Sequence, residues 1–99
     1  MTLGKVVGTV VATQKDRGLD GFKIQIVQTL DVPSMALKPS FVVAIDAVGA
    51  GNGEIVLVCS GSSARMTTVT ENRPVDAVIV AIVDTAEVEG KAVYRKSDD

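Results

Sequence analysis

Four carboxylates, Asp46, Glu54, Asp76 and Asp84, stand at the borders of apolar runs in this chain. Carboxylates paired in such places can do acid–base work of the glycosidase kind. Acids at strand ends also serve as turn and ion-pair groups, and that is the preferred reading, because nothing else in the sequence completes a catalytic set. Ser62 and Ser63 follow Gly61 without the second glycine of a nucleophile elbow, and the chain has no histidine to activate a hydroxyl. Both serines read as caps of a short helical turn over residues 64–67. The missing histidine also removes the commonest metal ligand, and the single cysteine, Cys59, can form neither a zinc cluster nor an internal disulfide. No catalytic, cofactor or metal site is expected. Arg65 reads as a structural anchor that bridges a carboxylate, Asp46 or Asp76, or backbone carbonyls across an interface.

The most informative stretch runs from Asp46 through Gly49, Ala50, Gly51, Asn52, Gly53 and Glu54 into the apolar run Ile55-Val56-Leu57-Val58. Nucleotide-binding glycine loops deliver their amides to a helix N-terminus, where the phosphates sit. Here the glycines lead into a strand, and no Gly-Lys-Ser or Gly-Lys-Thr follows. Two uses remain open for Gly49, Gly51 and Gly53: positive-φ corners in a connection, or a place where several backbones crowd around a symmetry axis.

The elements that must position these residues are strands. Residues 5–13, 22–30, 41–47, 54–60 and 77–84 are rich in Val, Ile and Thr and are separated by glycine, proline or polar turns. Gly8 marks a bend or close approach in the first. The two prolines of residues 31–40 indicate a surface loop, residues 85–91 a polar turn, and residues 92–95 a short edge strand. Phe22 and Phe41 are assigned to the core, and the near-continuous apolar character of the third and fourth strands implies burial on both faces. The fold class is therefore mostly all-β, a small closed or partly closed five-stranded barrel with one short helix.

With 99 residues, 46% hydrophobic content and only 3% aromatics, the core must be packed from small branched side chains. A net charge of -2 with both signs interleaved offers no field for nucleic acid. No apolar run reaches the roughly 20 residues of a membrane span, no signal core follows the N-terminus, and the lone thiol suits a reducing cytosol.

Taken together, Lys5-Val6-Val7-Gly8-Thr9-Val10 with Ala12-Thr13-Gln14-Lys15, Leu19-Asp20-Gly21-Phe22-Lys23, the stretch from Asp46 to Arg65, and Pro74-Val75-Asp76-Ala77 with Ile79-Val80-Ala81-Ile82-Val83-Asp84 resemble the bacterial microcompartment vertex proteins of the EutN/CcmL type. Their order and spacing over about 80 residues weigh as a full fingerprint rather than a lone motif. The resemblance implies that residues 1–99 form one vertex domain, an OB-like barrel assembled as a cyclic homopentamer in the shell of a cytoplasmic microcompartment, carboxysome or metabolosome. Implied partners are further copies of itself and the hexameric and trimeric shell proteins of the same compartment, with no cofactor, nucleic acid, membrane or catalysis. It also implies that Gly49, Ala50, Gly51, Asn52, Gly53 and Glu54 lie toward the five-fold axis, rimming a narrow pore. Asp46, Ser62, Ser63, Arg65, Pro74 and Asp76 would then serve as structural anchors or subunit contacts. A nucleic-acid or small-ligand module on the same barrel is the alternative, and an enzyme with carboxylates at a subunit interface the third reading.

Overall fold

A computed structural model of the chain describes residues 1–67, 70, 71 and 75–98. Five strands, β1 (Thr2–Val10), β2 (Lys23–Leu30), β3 (Leu37–Asp46), β4 (Ile55–Ser60) and β5 (Ala77–Ile82), close into a barrel in the order β1-β2-β3-β5-β4. Four of the five seams are antiparallel. The fifth, between β3 and β5, is parallel and registered at only two positions, Ile45 with Val78 and Asp46 with Ile79. Residues expected to form a polar turn instead begin a separate hairpin, β6 (Thr85–Val88) and β7 (Lys91–Arg95). Glu89 and Gly90, both at positive φ, make its turn.

The expected helix at residues 64–67 is a 3-10 turn, Gly61–Arg65, and the described residues include no α-helix. Gly61, at φ 68°, breaks β4, and its N–H donates to Asp76 O at 2.7 Å, so the turn starts at once and has no room to lengthen. Ser62 and Ser63 lie inside that turn rather than before it, which corrects their assignment as caps. Residues 31–36 form a turn closed by Asp31 N–H to Ala36 O at 2.8 Å, but β3 starts at Leu37 and contains Pro39. The ladder tolerates this proline because the register slips there. Between the pairs Gln28–Phe41 and Leu30–Leu37 side chains replace rungs, with Gln28 Nε2 donating to Lys38 O at 2.9 Å and Thr29 Oγ1 bonded to Ser40.

Hydropathy alone would turn Ile24 and Ile26 inward. The barrel does the reverse: Gln25 and Val27 face the interior, 1% and 0% exposed, while Ile24 and Ile26 lie on the outer face. The interior is a cluster of Val6, Val27, Ala44, Val56, Val58 and Ile79. A second cluster on the outside joins Ile45, Ala64, Val75 and Val78, with Leu19 and Phe22 packed against it, so β3, β4 and β5 bury both faces over part of their length. Phe22 thus belongs to a core, but Phe41 is 58% exposed, contrary to expectation, because it pairs with Gln28 on the outward side of the sheet.

Gly4, rather than Gly8, is the close approach. A Cβ on Gly4 would collide with the Val27 side chain and stand 2.9 Å from Gln28 O. One on Gly8 would touch Ile26 Cδ1 at an ordinary 3.4 Å.

Candidate functional site

The glycine loop, residues 47–54, joins β3 to β4 and closes one end of the barrel. It is organised by side chains at its two borders. Asp46 Oδ1 accepts the N–H groups of Val48 at 3.0 Å and Gly49 at 2.9 Å, which turns the chain as it leaves β3. Gly49 and Gly53 adopt φ of 76° and 87°, so both are positive-φ corners. Gly51 is outside that region, and a Cβ there would meet Glu54 Oε1 at 3.2 Å.

Between the corners the loop dips inward. Ala50 is 1% exposed and belongs to the interior cluster, and its carbonyl accepts Gln25 Nε2 at 2.9 Å. Gln25 Oε1 accepts Thr9 Oγ1 at 2.9 Å and its Nε2 reaches Asp46 Oδ2 at 3.4 Å, so one buried amide ties β1, β2, β3 and the loop together. Burying an amide is costly unless every polar atom is paired, and here each one is. The sequence signal for this role was slight: a glutamine set between two isoleucines in a strand that carries a second glutamine, Gln28.

At the far border Gly53 N–H donates to Val6 O at 2.8 Å and Val6 N–H to Glu54 O at 3.0 Å, pinning the loop to the bulge in β1. The Glu54 carboxylate accepts Gly51 N–H at 2.5 Å and Lys96 Nζ at 2.6 Å, the one ion pair among the described residues. Both bonds favour the ionised form, the Lys96 bond most, and hold the Glu54 carboxyl below its ordinary value of 4.5; the same contact raises Lys96 above 10.5. A general acid needs the opposite shift.

Among the other candidates, Asp76 and Asp84 are exposed, as are Ser62 and Arg65. Arg65 Nη1 donates to Val75 O at 3.5 Å, close to where its chain re-enters the barrel. Within the chain it reaches neither Asp46, which is occupied by the loop, nor the Asp76 carboxylate; the bridge expected of it was one across an interface. Pro74 lies outside the described residues. Thr70, which the sequence did not single out, is fully buried and donates to Ala64 O at 2.6 Å, stitching the segment after the 3-10 turn back onto it. Among the described residues no three His, Cys, Asp or Glu side chains come close enough to hold a metal ion, and no helix is long and apolar enough to cross a membrane.

The outer face of β2 and β3 differs from the rest of the surface. Ile24, Ile26, Phe41 and Val43 form a continuous apolar band by register, and Val43 is 54% exposed. Where β3 and β5 diverge beyond their two-residue seam, the band runs into a shallow groove of about 150 Å³ lined by Leu19, Ile24, Val43, Val75 and Ala77 and edged by Asp76.

A family model described as Ethanolamine utilisation protein EutN/carboxysome matches residues 1–84. Over 98 residues the chain is 47% identical to the carboxysome shell vertex protein CcmL of Nostoc sp., covering 99% of this chain and 97% of that one. The solved structure of Gloeobacter violaceus CcmL superposes with a TM-score of 0.94 at 43% identity, over 99% of this chain and 100% of the other. The GrpN pentameric microcompartment shell protein from Rhodospirillum rubrum superposes with a TM-score of 0.80 at 48% identity, over 89% and 100%.

Proposed function

The chain belongs to the EutN/CcmL family, and from that membership we propose that it is a structural vertex protein of a bacterial microcompartment shell in the cytoplasm. Five copies form a ring that caps a vertex of a polyhedral carboxysome or metabolosome. Hexagonal tiles alone make a flat sheet, so a five-fold object is what lets hexameric and trimeric shell proteins close around a volume; those proteins are its partners. It performs no catalysis and takes no cofactor.

The observation that carries this reading is the apolar band of β2 and β3 with its groove. A barrel whose interior is already filled leaves Phe41 and Val43 more than half exposed. An apolar patch of this kind on a small domain marks an interaction surface, and a head-to-tail contact repeated around an axis buries it in every copy. Beside the groove Arg65, Ser62 and Asp76 are exposed and available to a neighbour, while Asp46 is an anchor of the glycine loop. With Ala50 inside the barrel, the residues left to face an axis are Gly49 and, beyond the dip, Gly51, Asn52, Gly53 and Glu54. A nucleic-acid or ligand-binding role for the same barrel has no observation in its favour.

Native mass spectrometry tests the assembly. The expected species is five times the 10.3 kDa chain mass. Val43→Lys, which sets a charge in the band, should weaken association about tenfold or more while leaving the strand signal of the circular dichroism spectrum intact. A monomeric parent protein, or a Val43→Lys ring as stable as the parent, contradicts the proposal.

A further inference from the structure

We propose that the C-terminal 3-10 turn, Lys96–Asp98, is a latch on the glycine loop, with Lys96 as the positioning residue that fixes Glu54 and, through it, Gly51. The two oxygens of the Glu54 carboxylate are divided between two partners: Oε1 takes the Gly51 N–H and Oε2 takes Lys96 Nζ. Lys96 lies beyond residues 1–84, the stretch that the family model matches, and it arrives on the exposed side of the loop. Its own N–H donates to Asp84 O at 2.8 Å, so the turn is docked where the chain leaves the barrel. Asp84 stands near the ammonium and favours its charged state.

The other ties of this part of the loop are backbone bonds: Glu54 N–H to Gly51 O at 3.2 Å, Gly53 N–H to Val6 O and Val6 N–H to Glu54 O. The first holds the Gly51 carbonyl, but none of them takes the Gly51 N–H, whose bond depends on where the Glu54 side chain points. A glutamate with three rotatable bonds holds such a position only when both ends are secured, and Lys96 secures the far one. The latch is a property of a single chain. Where the loop faces the five-fold axis, a consequence that rests on the vertex reading, the same contact neutralises one carboxylate in each rim segment.

Amide hydrogen exchange of the intact protein tests the latch, read at Gly51, at Gly53, and at Val56 and Val58 of β4 as the internal reference. Lys96→Met should accelerate Gly51 about two- to fivefold, the size expected from an exposed ion pair, and leave Gly53 and β4 unchanged. Lys96→Arg should retain the protection. About 1 M salt, which shortens the screening length to roughly 3 Å, should reproduce the acceleration in the parent protein and add nothing in Lys96→Met. Unchanged exchange at Gly51 in Lys96→Met overturns the latch, as does an acceleration shared equally by Gly51 and β4. Native mass on the same samples keeps the two readings apart: a five-chain ring with unchanged Gly51 exchange removes the latch alone, and a monomer with a responsive Gly51 removes the ring alone.

Discussion

At Gly4 two strands meet so closely that a single methyl group has nowhere to go. The collision is with backbone as well as with the Val27 side chain, so Gly4→Ala should cost about 1–3 kcal/mol, seen as a lowered thermal midpoint. Gly8→Ala, which gains an ordinary contact with Ile26, should stay within about 1 kcal/mol of the parent. Glu54 makes a prediction of a different kind. Its carboxyl is held below 4.5 in the folded state, so its contribution is present above that value and is lost as pH falls through the lowered one. Lys96, raised above 10.5, contributes below that value and loses its effect as pH rises through the raised one. The stability difference between the parent and Glu54→Gln should therefore be flat from about pH 6 to 9 and shrink in acid below the ordinary carboxylate range, as thermal melts across pH would record.

Two corners of the glycine loop carry its shape. Gly49 and Gly53 have open space where a Cβ would stand, so what Gly49→Val or Gly53→Val meets is backbone strain alone, about 1–2 kcal/mol each. Gly51→Ala meets only the movable end of Glu54 and should be milder, a ranking that urea denaturation can check. The sequence announced this loop by its glycines and its leading aspartate, and it announced the five barrel strands by their branched residues and turn punctuation. It could not show which of the three glycines need positive φ, because that depends on the dip that buries Ala50, and the dip depends on Gln25, 21 residues before the loop border at Asp46 and packed there only after the barrel closes. The inward turn of Gln25 was illegible for the same reason: alternation gives two faces and does not say which one meets the interior when both are apolar in part. Pro39 misled in the opposite sense, since a proline at a bulge is compatible with a strand that a sequence reading would break. Asp76 stands directly before β5, at a strand border as expected, but the pairing of Arg65 with it was inferred from position along the chain, which carries no distance.

For the whole molecule, the small interior and the uncovered band together mean that a lone copy is less stable than an assembled one. The thermal midpoint of the parent should rise with protein concentration, and Val43→Lys should need about tenfold more protein or beyond to reach the same rise. The barrel also carries a consequence of the short seam between β3 and β5. Four of its joints are fastened by long ladders and the fifth by two rungs, beside the groove where the strands part. In a solitary chain that joint is the clasp most easily sprung. On the vertex reading, a neighbour lying in the groove covers the clasp and is itself held by a barrel whose clasp is shut, so ring formation completes the folding of each member, and a shell under strain would find its vertices toughest where the isolated chain is weakest.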